Sequence, residues 1–256
     1  MEWILLILSA ILLPVFPLSW LFNRLVDTAP GCWGRALAIL VLPQLGILLI
    51  YTVPTVPLPT SLEQIILLLV LFTALFYAFR AVSVREVTIW TRLMASSGLT
   101  LDWILVAAGT NVHGVQIFAL AWSLPAALLL VWAGLLRQRM GGAYLGLQGG
   151  LATVLPRLSS LMTLTALALV ATPIFPGFFA LLQVFHLLAV SWLWPLLILL
   201  LLWGWSVGRF LQDLLFGSYR GESMEDVSYG LAAGGFAVLF LFALSTLIWS
   251  GIWTGI

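Results

Sequence analysis

Lysine is absent from this 256-residue chain: all ten basic residues are arginine. Lysine can change its charge when buried, whereas arginine stays protonated, so a proton relay built on intramembrane lysines is excluded. Cysteine occurs once, as Cys32, which rules out a disulfide or a cysteine metal site within the chain. Charge of either sign is scarce, at 7% of residues against roughly a quarter in a soluble domain. The net charge of +1 excludes a basic nucleic-acid binder. No G-x-S-x-G, H-E-x-x-H or P-loop pattern occurs, so no catalytic residue, cofactor or metal is expected. His113 and His186 are too far apart in sequence for metal-ligand spacing.

What is present is apolar surface. Hydrophobic residues make up 63% of the chain and the mean hydropathy is +1.18. This composition predicts an all-α polytopic membrane protein, a single membrane domain over residues 1–256 immersed in a lipid bilayer. The first apolar run, from Trp3, has neither a basic leader nor an A-x-A cleavage site and reads as a retained helix. Hydropathy places spans at 3–22, 36–53, 62–79, 93–110, 115–136, 156–191, 192–216 and 230–249. Polar connections are expected at Asn23–Gly34, at the Pro-rich 52–61, at Asn111–Gly114 and at the glycine-rich 141–150. Tryptophans at span ends (Trp3, Trp20, Trp33, Trp192, Trp194, Trp249, Trp253) read as an interfacial belt. Trp203 and Trp205 lie deeper and suggest contact with a partner.

Two spans are interrupted. Pro14 and Pro17 break 3–22, and Pro173, Pro176 and Gly177 break 156–191. Proline removes a backbone donor and frees a carbonyl, so a membrane helix must open there; such openings often line ion or substrate paths. Pro43 and Pro125 predict kinks in their spans. Counting 156–191 as one long broken span puts every arginine-bearing loop on one side. The positive-inside rule then gives about eight spans, with both termini away from the cytoplasm.

Pro14-x-x-Pro17-Leu18-x-Trp20-Leu21 with Ala29-Pro30, Arg92-Leu93-Met94-Ala95-Ser96-Ser97, Gly149-Gly150-Leu151 to Pro156-Arg157-Leu158, Pro173-x-x-Pro176-Gly177-Phe178 and Phe216-x-x-x-Arg220 occur in this order. The series resembles the antiporter-like subunits of respiratory complex I and Mrp-type cation antiporters. The resemblance covers the C-terminal half of such subunits, from their first broken helix onward. It implies a bacterial inner-membrane protein with cytoplasmic arginine loops. It also implies partners in a larger complex, including a full-length antiporter-like subunit, of the complex I, hydrogenase, Mrp or inorganic-carbon-uptake type.

By the same resemblance, two of the family's relay lysines fall on Leu12 and on Pro43-Gln44, its further relay lysine or glutamate falls on Leu181, and each replacement removes a titratable group. A degenerate, scaffold-type subunit is therefore expected, with the chemistry of its complex on other chains. The alternative is an active half-channel in which His186 and Gln183 replace the lost lysine. Asp102, inside an apolar run where an unpaired carboxylate is expensive, completes the candidate proton path; either it pairs, for instance with Arg92, or its span begins later than residue 93. Arg209 and Asp213, spaced i,i+4, are expected to form a structural ion pair.

Overall fold

A computed structural model describes residues 2–53, 60–146, 149–219 and 224–248. Most of the Pro-rich 52–61 turn, together with Arg220, Glu222, Trp249 and Trp253, lies outside them. Among the described residues the regular elements are helices, with no strand: α1 (Glu2–Leu12), α2 (Ser19–Thr28), α3 (Gly31–Thr52), α4 (Thr60–Ser83), α5 (Val87–Leu99), α6 (Asp102–Ala107), α7 (Val112–Met140), α8 (Leu151–Val154), α9 (Pro156–Leu169), α10 (Pro176–Leu187), α11 (Leu193–Leu215) and α12 (Tyr229–Ile248). Five of them are long and apolar enough to cross a membrane: α3, α4, α7, α11 and α12. The remaining apolar chain is divided among the discontinuous pairs α1–α2, α5–α6 and α9–α10.

The central element is α7, against which α3, α5 and α9 pack. It is apolar on all sides and largely enclosed, as expected of a helix without a polar face. Asn111 starts it by accepting a hydrogen bond from the Gly114 amide at 2.7 Å. Arg137 and Arg139 end it where the helix dipole favours cations, and Gly141 closes it at φ +73°. Gly134 lets α3 approach so closely that a β-carbon there would sit 2.3 Å from Cys32 Cβ.

Three boundaries differ from the hydropathy reading. The polar stretch 23–34 is not a loop: α2 runs to Thr28 and α3 starts at Gly31, because Asn23 and Asp27 find partners inside the bundle. The fourth span begins at Val87 rather than Leu93, for the charge of Arg92 is matched within the protein. The expected 111–114 turn is instead the cap and first turn of α7. Pro43 and Pro125 are absorbed within continuous helices.

Each proline break is satisfied differently. The missing amide of Pro14 would have served Ala10, whose carbonyl accepts from Val15 N instead, at 3.4 Å. Pro17 leaves the Leu13 carbonyl free, and Trp103 Nε1 on α6 donates to it at 3.2 Å. The Phe16 amide donates to Thr73 Oγ1 on α4 at 3.0 Å. The first break is thus stitched to two neighbouring helices. The second closes on itself: Ala171 adopts φ +57°, and Thr172 donates from both its amide and Oγ1 to the Leu167 carbonyl, at 3.3 and 3.1 Å. Its tip, Pro173 and Ile174, is exposed. Trp103→Phe keeps the ring but strands the Leu13 carbonyl, and is expected to lower stability by about 1–3 kcal/mol. Thermal unfolding in mild detergent measures it, and an unchanged melting temperature would remove Trp103 from this role.

Candidate functional site

The arginine-bearing ends of the helices are tied together at one end of the bundle. Arg209 Nη1 donates to the Val82 carbonyl at 2.6 Å, and the backbones of Arg85 and Val87 pair with Leu145 and Ala143. Arg139 Nε donates to the Glu225 carbonyl at 2.9 Å. Asp226 accepts from the amides of Arg157 and Leu158, at 2.7 and 3.2 Å, and so caps α9, which starts with Pro156. The Arg157 guanidinium donates to the Val227 carbonyl and lies 3.5 Å over the Tyr229 ring. The Gly149–Gly150 pair meets Gly217 backbone to backbone: a β-carbon on Gly150 would lie 2.3 Å from the Gly217 carbonyl oxygen.

The second break does not gather a polar site. Leu181 is buried, Gln183 is half-buried, and His186 is exposed in the last turn of α10. Neither Gln183 nor His186 hydrogen-bonds to a described group. Leu12 is buried at the end of α1, over Gly46, where an added β-carbon would sit 2.9 Å from its own. Pro43 is buried within α3. Leu12, Pro43 and Leu181 are therefore all enclosed in the packed interior.

The expected ion pair of Arg209 with Asp213 does not form. Arg209 turns to the Val82 carbonyl, and Asp213 faces Gly146, whose added β-carbon would lie 3.0 Å from Asp213 Oδ2. Asp102 does not pair with Arg92. Its carboxylate is fully buried, with no partner for either oxygen. Trp203 is also not a partner contact: it is buried and donates to Ser97 Oγ at 2.9 Å, while Trp205 is exposed. Of the belt, Trp3, Trp20, Trp33 and Trp194 are exposed as expected.

A polar site missed by the sequence reading lies beside the first break. Arg92 reaches from α5 to α2, with Nη1 3.1 Å from Asp27 Oδ1 and 2.8 Å from the Asn23 carbonyl. Arg35 of α3 approaches the same Asp27 oxygen at 3.7 Å. Asn23 Nδ2 donates to Ser96 Oγ at 3.0 Å and to the Ser19 carbonyl at 3.1 Å. Tyr77 of α4 donates to Ser19 Oγ at 2.8 Å. Next to it, Ser97 donates to the Ala74 carbonyl at 2.7 Å, and Trp90 donates to Ser206 Oγ at 2.7 Å. The signal lay in the sequence: Arg92 to Ser97 forms one of the quoted motifs. The network locks α2, α4, α5 and α11 together. Among the described residues no group of three or more metal-ligating side chains exists.

The profile of the family described as NADH:quinone oxidoreductase/Mrp antiporter, transmembrane, matches residues 3–206. The fold is similar to a chain of respiratory complex I from Thermus thermophilus solved with bound NADH, with a TM-score of 0.80 and 20% identity over 96% of this chain and 55% of that one. It is also similar to a chain of the Mrp complex from a Dietzia species, with a TM-score of 0.77 and 16% identity over 96% of this chain and 56% of that one. The chain thus spans little more than half the length of these relatives. No curated protein matches it.

Proposed function

The chain belongs to the NADH:quinone oxidoreductase/Mrp antiporter membrane family, and from that premise we propose that it is a non-conducting, scaffold-type subunit of a multi-subunit ion-coupled complex. Members of this family are in general transporter subunits, and those of complex I sit within an oxidoreductase. One observation carries the scaffold reading: Leu12, Pro43 and Leu181 are all buried and apolar, in a chain that has no lysine. Intramembrane ionisable groups are the usual carriers of protons, and these three places hold none. The exposed position of His186 is consistent with the same reading.

Five single helices and three discontinuous pairs correspond to eight crossings. The arginine-bearing end is assigned to the cytoplasm by the positive-inside rule, with both termini opposite, in a bacterial inner membrane. The partners are a full-length antiporter-like subunit that retains its lysines and the further subunits of a complex I-like or inorganic-carbon-uptake assembly.

Replacing His186 and Gln183 together with leucine is expected to leave proton uptake by the assembled complex unchanged. Loss of uptake with assembly intact would instead establish the rival reading, an active half-channel through those two side chains. Proton conduction by the purified chain alone in liposomes would do the same.

A further inference from the structure

Asp102 is the single acid fully buried among the described residues, and both of its oxygens lack a partner. It opens α6 immediately after the α5–α6 break. Helical rise puts it about 20 Å beyond Val87, roughly two-thirds of the way across a hydrocarbon core about 30 Å thick. Its surroundings hold further unpaired groups. Thr100 Oγ1 in the break, and Trp122 Nε1 and Ser123 Oγ on α7, are buried without a partner. The last turn of α5, just before the break, touches this part of α7, since a β-carbon on Gly98 would lie 2.5 Å from the Trp122 ring. Thr100 lies two residues before Asp102, and α7, which carries Trp122 and Ser123, packs on both α5 and α6. Orphaned polar groups in a native interior are ordinarily satisfied by internal water.

Among the described residues no cation neutralises the carboxylate. The helices packed on α6 are α4, α7 and α10. Glu63 is exposed near the start of α4 and Arg80 lies in its last turn. His113 is exposed in the first turn of α7, whose arginines are at the opposite end, and His186 is exposed on α10. Tyr51, at the end of α3, donates its hydroxyl to the Thr110 carbonyl, just beyond the end of α6. Arg92, on α5, is engaged by Asp27.

We propose that Asp102 is a proton-binding site, hydrated by water held on Thr100, Trp122 and Ser123 and reached from the end of the bundle where Tyr51 and Thr110 lie. A hydronium ion gives its proton to the carboxylate, leaving water and a neutral carboxylic acid; the proton returns by the same route. The site rests on the membrane reading and not on the scaffold reading, because a route that ends at Asp102 binds a proton without moving it across. It occupies none of the positions where the family resemblance places a relay.

The test uses the full chain in liposomes and has two readouts. A hydrophobic carbodiimide, which reacts with protonated carboxyl groups, is expected to modify Asp102, more at low than at high pH, as located by mass spectrometry. Infrared difference spectra between the same pH values are expected to show a protonated-carboxyl band that shifts in D2O and is lost in Asp102→Asn. Thr100→Val with Ser123→Ala is expected to slow the deuterium exchange of that band. An unmodified Asp102 in folded protein, or a band that survives Asp102→Asn, overturns the proposal. Protection of Asp102 by sodium ions at constant pH overturns it in favour of a metal-cation site. Proton uptake by the assembled complex is measured separately, so failure here leaves the scaffold reading to its own test.

Discussion

Gly150→Ala is expected to destabilise the bundle by about 2–5 kcal/mol, the sum of a left-handed backbone cost of roughly 1–2 and an overpacking cost of roughly 1–3. Gly150 holds φ +75°, and an added β-carbon would lie 2.3 Å from the Gly217 carbonyl oxygen and 2.8 Å from the Gly217 carbonyl carbon. Gly217, at φ +115°, presses back on Gly149, where its own β-carbon would lie 3.0 Å from Gly149 Cα. Backbone cannot rotate aside as a flexible side chain can, so the strain would separate the start of α8 from the end of α11. Thermal unfolding and gel-filtration profiles in mild detergent measure the effect. Gly230→Ala is the control: nothing lies within 4 Å of a β-carbon there, and no change is expected. A Gly150→Ala protein that melts with the wild type would show that this junction is loose.

Arg92→Leu is expected to cost about 1.5–3 kcal/mol, the range for hydrogen bonds made by a charged group. The loss comes mainly from the Asn23 carbonyl, 2.8 Å from Nη1, and less from Asp27, which is half-exposed and keeps Arg35 at 3.7 Å. Only α5 reaches Asn23 in this way, so α2 should loosen while the rest of the bundle holds. Faster hydrogen exchange confined to residues 19–28 is the expected signature. Arg92→Lys should recover part of the loss, because an ammonium supplies the charge but not the planar fork that serves two acceptors. Uniform exchange across all helices, or none, would show that Arg92 does not anchor α2.

Both predictions concern residues inside motifs that the sequence displays, yet neither partner was legible there. Gly149, Gly150 and Arg92 stand out as motif members, but the contacts of the glycines with Gly217 are 67–68 residues away in the chain and those of Arg92 are 65–69. The same separation explains the misplaced pairings. Arg209 has an acid four residues on, an arrangement that favours pairing on an isolated helix, but α4 brings the Val82 carbonyl to it. Arg92 has Asp102 ten residues ahead as its nearest intramembrane acid in sequence, whereas α2 delivers Asp27. Asn23 to Gly34 reads as loop because it is polar, and becomes mostly helix because those polar groups are used inside.

The sequence by itself determined the membrane class, the two proline breaks, and a set of basic residues made up of arginine alone. These follow from properties carried by single residues or short runs: a missing amide hydrogen, a side chain too apolar for water, a charge that never dissociates. Only the tertiary structure decided that the first break is stitched to α4 and α6 while the second closes on itself. It also decided that His186 faces outward, that Asp27 rather than Asp102 holds Arg92, and that Asp102 stays unpaired. Those outcomes depend on which distant segments pack against one another, and a donor in a helical bundle takes the acceptor that packing brings within 3 Å or so, whatever its distance along the chain.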